Sequence, residues 1–303
     1  MELGLIGLGR MGANMARRLI LGGHRVVAFD LDARAVAACA EYGAEGAGSL
    51  AELVSLLAPP RAVWLMLPHG PVTEDAVSAV SPLLSPGDVI LDGGNTNYKD
   101  SIRRGQELAE WSIDFVDVGI SGGIWGLTNG FCLMVGGPDE TVKRLEPAFR
   151  SLAPSETAGY SHLGPNGAGH YVKMVHNAVE YALMEAYAEG FELLAAKEEF
   201  DLDLAAIAET WRHGAVVRSW LLDLAAAALK EDPGLESLQA FVEDSGEGRW
   251  TVQESVDLAV PVPAITAALQ QRFRSRQEGP LGAKLLAALR QQFGGHAVRR
   301  TGD

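Results

Sequence analysis

"GLIGLGRMGANMARRL", residues 4–19, decides how the chain is read. The apolar run 3–9 has the length of a short strand, and a helical pattern follows from Asn14. Between them lies Gly7-x-Gly9-x-x-Gly12, with Arg10 and Met11 inside the motif. At a strand-to-helix turn each glycine has its own use. The first makes the tight turn, the second lets backbone approach a pyrophosphate, and the third lets helix and strand pack closely. The helix start adds amide donors and the positive end of its dipole. In this context the motif predicts a dinucleotide-binding βα turn, with Gly7, Gly9, Arg10, Met11 and Gly12 as cofactor contacts.

The alternation continues outward. "RVVAFD", "AVWLMLP", "DVILDGG" and "DFVDVGI" read as strands separated by helical or turn segments, with "FCLMVGG" as one more strand at the far side. This is the pattern of a doubly wound parallel sheet with crossover helices. After about residue 165 the strand pattern stops. "GAGHYVKMVHNAVEYALMEAYAEGFELLAAK" predicts one long helix, and Ala- and Leu-rich helices follow, broken at "KEDPG", "EDSGEG" and "VPVP". The expected organisation is a Rossmann-like α/β domain over 1–165 and an all-helical domain over 166–303.

The second strand ends on Asp30, eighteen residues after Gly12. A carboxylate there accepts both ribose hydroxyls of NAD and repels the 2′-phosphate of NADP. Leu31 stands where an NADP enzyme would often carry arginine, although Arg34 is close by. The expected cofactor is therefore NAD. Leu67 and Pro68 of "LPHG", and Asn95 of "DGGNTNY", fall at strand ends, where ligands bind in doubly wound folds. Asp92 is expected to shape the turn. Ser121-Gly122-Gly123 offers backbone that a substrate carboxylate can approach.

Within the long helix, Lys173, Asn177 and Glu180 are spaced four and three apart and share a face, with His176 beside them and Tyr181 next to Glu180. Val172, Met174, Val175, Ala178 and Val179 are expected to pack on both flanks. A partly dry lysine has a lowered pKa and can serve as a general base. A nearby glutamate pushed towards its neutral form can serve as an acid. A salt-bridged solvent face would show more charge around the stripe than is present.

The chain has 303 residues, is 48% hydrophobic and carries a formal net charge of −14. That charge opposes binding to nucleic acid or anionic membrane. Residues 250–303 are locally basic, with seven Lys/Arg against four Asp/Glu. The two cysteines, Cys39 and Cys132, form no disulfide framework or CxxC motif and are expected to be reduced core residues. The N-terminus shows no basic leader, and no apolar run approaches the ~20 residues of a membrane helix. A cytoplasmic protein without a metal site is expected.

"GLGRMGANMA", "ILDGGNTNY", "DVGISGGIWG" and "GAGHYVKMVHNAVEYALMEAY" together resemble the 6-phosphogluconate dehydrogenase family, in its short bacterial form, within the β-hydroxyacid dehydrogenases. The resemblance runs through essentially the whole chain. It implies NAD-linked oxidative decarboxylation of 6-phospho-D-gluconate to D-ribulose 5-phosphate, a step of the pentose phosphate route or of gluconate utilization. Lys173 matches the family's general base and Glu180 its general acid, with Asn177 in the same constellation. Asn95, Ser121, Gly122, Gly123, His176 and Asn177 match substrate or nicotinamide contacts. Tyr181 and Arg272 match phosphate contacts. "RQQFGGH" matches the family's tail, with Arg290 and His296 reaching a neighbouring subunit, which implies a homodimer or homotetramer. Two positions depart from the pattern. Ser245 stands where longer members carry lysine, and Asp30-Leu31 replaces the Asn-Arg pair of NADP-using members. The alternatives are another β-hydroxyacid dehydrogenase, acting on 3-hydroxyisobutyrate or a tartronate-type acid, and a non-catalytic dinucleotide-binding protein.

Overall fold

A computed structural model describes residues 1–300 of the chain. Residues 301–303, which close the expected second domain, lie outside the described residues. The elements run β1 (Glu2–Ile6), α1 (Arg10–Leu21), β2 (Arg25–Phe29), α2 (Ala33–Ala40), β3 (Glu45–Gly46), α3 (Leu50–Ser55), β4 (Ala62–Leu65), α4 (Pro71–Val80), β5 (Val89–Asp92) and α5 (Tyr98–Ala109). They continue with β6 (Asp114–Ser121), α6 (Gly126–Asn129), β7 (Cys132–Gly136), α7 (Asp139–Leu152), β8 (Tyr160–Gly164) and α8 (Ala168–Ala195). Then come α9 (Leu204–Trp211), α10 (Trp220–Glu231), α11 (Glu247–Asp257), α12 (Pro263–Ser275) and α13 (Leu281–Gly294). The doubly wound sheet and the helical second part both match the sequence reading.

The eight strands lie in the order β3-β2-β1-β4-β5-β6-β7-β8. The order reverses between β1 and β4, the switch point where such folds open a ligand crevice. Both sheet faces are covered, which explains why the strands read as continuous apolar runs rather than alternating ones. In β4, Ala62 and Trp64 enter one core with Leu3, Leu5 and Phe149, while Val63 and Leu65 enter the other with Ile6, Val27 and Ile90. Burying such side chains contributes roughly 1.5–3 kcal/mol each.

The sheet is not wholly parallel. β7 runs antiparallel to β6, pairing Asp117 with Gly136, Gly119 with Met134 and Ser121 with Cys132. β8 then pairs parallel to β7. Strands β3 and β8 have no counterpart in the sequence reading. Cys39 is buried as expected, but Cys132 is exposed at the first position of β7.

A partly buried ion network ties α4 and α5 to the end of β5. Arg104 on α5 is 1% exposed and Asp92, at the end of β5, is fully buried. Arg104 Nη1 donates to Asp92 Oδ2 at 3.1 Å, while its Nε and Nη2 donate to Glu74 Oε2 at 3.0 and 2.8 Å. Asp92 also accepts the Gly94 amide and the Thr96 hydroxyl. It therefore shapes the turn that carries Asn95. Glu74 is bound by both Arg103 and Arg104, and these hydrogen bonds hold its carboxyl down to about 2. Its stabilising effect is complete above the ordinary value of 4.5 and disappears as pH falls towards that depressed value. Wild type should thus lose more unfolding free energy between about pH 5 and about pH 3 than Glu74→Gln does. Urea titrations at both pH values measure this, and equal losses would remove Glu74 from the acid response.

The chain divides into two compact units, Met1–Ala178 and Val179–Asp303, with the division inside α8 rather than at its start. The second unit has two small cores. Ala208, Leu222, Ala226 and Leu229 pack with Tyr187, Phe191 and Trp211, and Tyr181, Ala268 and Leu269 pack with Val252 and Phe273. Among the described residues no helix is long and apolar enough to cross a membrane.

Candidate active site

The glycine turn has the geometry its spacing predicts. Gly7 has φ of +94°, and a Cβ there would lie 2.5 Å from the Met66 carbonyl oxygen. A Cβ on Gly12 would sit 2.0 Å from the Gly7 carbonyl oxygen, so the helix reaches the strand only because none is present. At Gly9 a Cβ would meet nothing within 4 Å, and this residue caps α1 without a side chain. The first-turn amides of α1 are therefore approachable by an anion. Arg10 is exposed at the first position of α1, and Met11 packs partly against the core.

Asp30 is half-buried just past β2. Its Oδ2 accepts the Leu8 amide at 2.6 Å and its Oδ1 the Asp32 amide at 2.8 Å. A carboxylate has about four acceptor positions. Two remain for the hydroxyls of a ribose, so these residues fit NAD. Leu67 is half-buried, and the exposed Pro68 accepts the Thr73 hydroxyl through its carbonyl. Asn95 is exposed at the end of its turn.

The Ser-Gly-Gly turn is tied to the glycine-loop helix. Asn14 of α1 donates to the Ile124 carbonyl at 3.2 Å. Arg18 of α1 donates to the carbonyls of Leu127, Leu152 and Ala153. Ser121 and Gly122 are half-buried and Gly123 is exposed.

Lys173 is only 6% exposed. Its stem lies against Gly119 of β6, where a Cβ would fall 2.3 Å from the Lys173 Cβ. Gly119 precedes Ser121 by two positions on one face of the strand, so the lysine stands beside the Ser-Gly-Gly turn. Desolvation raises the pKa of Cys132, the cross-strand partner of Ser121, and the Lys173 charge opposes that rise. His176 and Asn177 are half-buried, with His176 Nδ1 3.1 Å from Asn177 Oδ1. Only one flank of the stripe is packed. Met174 and Ala178 are buried, but Val172 is 38% and Val179 46% exposed, contrary to the expectation of two packed flanks.

Three residues supporting this lysine were not singled out from sequence. Asp117 of β6 is fully buried and caps the start of α8 from the sheet. Its Oδ1 accepts the Gly167 amide at 2.7 Å and its Oδ2 the His170 amide at 2.8 Å. Burial pushes its carboxyl up, opposed by the His170 charge and by these hydrogen bonds. His170, one turn before Lys173, shares a 2.7 Å hydrogen bond with Ser101 through Nδ1. A lone acidic residue inside the apolar run "DFVDVGI" was the available signal, since a buried charge requires partners.

The second unit forms a cluster of its own. The Arg272 guanidinium lies 3.6 Å from the centroid of the Tyr181 ring, and its Nη1 donates to the Glu243 carbonyl. The Tyr181 hydroxyl accepts the Ser245 amide at 3.1 Å, and Ser245 Oγ donates to Glu247 at 2.6 Å. A Cβ on Gly248 would strike the Tyr181 ring at 2.7 Å. Glu180, the preceding residue of α8, is half-buried. Arg290 and His296 are exposed, on and just beyond α13.

Residues 2–164 match the model for the NAD binding domain of 6-phosphogluconate dehydrogenase, and residues 169–280 match that for its C-terminal domain. The chain belongs to the 6-phosphogluconate dehydrogenase family. It is 47% identical to the NAD(+)-dependent, decarboxylating 6-phosphogluconate dehydrogenase of Haloferax volcanii, with all of both chains covered. It is 35% identical to the decarboxylating 6-phosphogluconate dehydrogenase of Staphylococcus aureus, covering 97% of this chain and 66% of that longer one. Among solved structures, Plasmodium falciparum 6-phosphogluconate dehydrogenase aligns with a TM-score of 0.82 at 25% identity, covering 100% of this chain and 67% of the other. Among the described residues, no group of three or more His, Cys, Asp or Glu is placed to hold a metal ion.

Proposed function

We propose that the chain catalyses oxidative decarboxylation of 6-phospho-D-gluconate to D-ribulose 5-phosphate and carbon dioxide, with NAD preferred over NADP. Lys173 carries this reading, as an amine shielded from water beside the Ser-Gly-Gly turn at the edge that holds the glycine loop. Its neutral form takes the proton of the carbon-3 hydroxyl. Bound nicotinamide supplies the hydride acceptor for carbon 3. The resulting β-keto acid loses carbon dioxide because the new carbonyl accepts the electron pair of the breaking bond. Lys173, now protonated, stabilises the oxyanion as charge appears there. Glu180 delivers a proton to carbon 1 of the enediol, giving the ketose. Asn95, Ser121, Gly122, Gly123, His176 and Asn177 orient the sugar acid.

Tyr181 and Arg272 hold the phosphate, joined by Arg290 and His296 of the partner subunit. An association of at least two copies is supported by α13, where Leu281, Leu285, Leu286 and Leu289 are 79%, 54%, 65% and 50% exposed. An apolar helix face of that kind marks a contact surface. The functional reading is tested by steady-state assay of the purified chain with 6-phosphogluconate and NAD, following reduced nucleotide and carbon dioxide together. Equal release of both products is expected. Reduced nucleotide without carbon dioxide, or turnover only of a non-phosphorylated hydroxy acid, would move the chain to another reaction class.

A further inference from the structure

The turn from β2 into α2 carries charged residues at every second position: Asp30, Asp32 and Arg34. They form a relay. Asp30 Oδ1 accepts the Asp32 amide at 2.8 Å. Asp32 Oδ1 accepts the Arg34 amide at 3.0 Å, which caps α2, and also Arg34 Nε at 3.0 Å. Asp32 Oδ2 accepts Arg34 Nη2 at 2.9 Å. The guanidinium is thus held by a two-point fork, the geometry in which arginine binds carboxylate best. Leu31, between the two acids, is 95% exposed and places no bulk over the turn. Arg34 is the cation nearest to Asp30 in sequence. Engaged by Asp32, it is bound to an anion of its own chain.

We propose that Asp32 is a positioning residue for cofactor choice: it holds Arg34 against the start of α2 and so withholds a cation from the 2′-phosphate of NADP. Discrimination then has two parts. Asp30 accepts the ribose hydroxyls and repels a phosphate, and Asp32 keeps the neighbouring arginine from offsetting that repulsion. The arrangement rests on the reading that NAD is the preferred cofactor. Because the pair is solvent-exposed, with side chains 92% and 47% accessible, its contribution is modest.

The test compares kcat/KM for NAD and NADP, at saturating 6-phosphogluconate, in wild type, Asp32→Asn, Arg34→Ala and the double variant. Asparagine still caps a helix, so α2 keeps its start while the charge that holds the guanidinium is gone. Asp32→Asn should raise kcat/KM for NADP by about three- to five-fold and change that for NAD less than about two-fold. The NADP gain should vanish in the double variant. A gain below about two-fold overturns the proposal. So does a full gain that survives Arg34→Ala, since Asp32 would then act through its own charge. A wild type that itself favours NADP overturns the NAD reading separately, whatever the variants do.

Discussion

Replacement of Lys173 by methionine should lower kcat by about 10³-fold or more while leaving NAD affinity within about two-fold. Methionine is close to lysine in length and carries no charge into the dry site. The stem contact against Gly119 can therefore persist, and the glycine turn need not move. What disappears is the only group proposed to act twice, first as the base at the hydroxyl and then as the cation beside the oxyanion. Loss of both roles should show in kcat rather than in the NAD dependence. Single-turnover kinetics with 6-phosphogluconate, together with calorimetric titration of NAD, separate the two. Turnover within about ten-fold of wild type would exclude Lys173 as the base.

The second large effect is on stability. Arg104→Met should cost about 3–5 kcal/mol, because fully buried Asp92 would lose its cation while still charged. For a protein of this size that corresponds to a fall in Tm of roughly 10 °C. Asp92 also holds the Gly94 amide and the Thr96 hydroxyl, so the turn carrying Asn95 should loosen with it. Adding Asp92→Asn removes the stranded charge and should recover part of the loss. Calorimetric unfolding of the single and double variants measures both steps. A single-variant cost below about 1 kcal/mol would show that the Gly94 amide, the Thr96 hydroxyl and solvent suffice for the aspartate.

Much of this was legible because local chemistry and global fold agree. Gly7 and Gly12 stand where a Cβ would strike backbone, as their spacing implies, and Lys173 is buried where a salt-bridged solvent face would have been exposed. Strand β8 was not legible. "YSHLG" has alternating half-buried and exposed positions, and its Leu163 is 42% exposed, so no apolar pattern marks it. β3 has two residues and no pattern at all. The reversed direction of β7 has a trace in the spacing of the strands. Residues 122–131 are too few for a crossover between parallel strands, which needs a dozen or more. Asp117 and His170 were not legible because their partners lie 50 or more residues away in the chain, and only the fold brings the β6 carboxylate under the start of α8. The exposed flank at Val172 and Val179 reflects the same limit: apolar type does not tell which side of a long helix has a neighbour.

The cap that Asp117 places on α8 has a consequence for where anions can settle. Among the helices that begin near this edge of the sheet, α1 and α8 differ in what meets their first amides. α8 arrives with its positive pole already neutralised by a carboxylate from the strand below, leaving little attraction for a second negative group. α1 begins on a residue with no side chain at all, so its pole is unspent. Of these two beginnings the earlier one is the one whose amides stay open to a diphosphate.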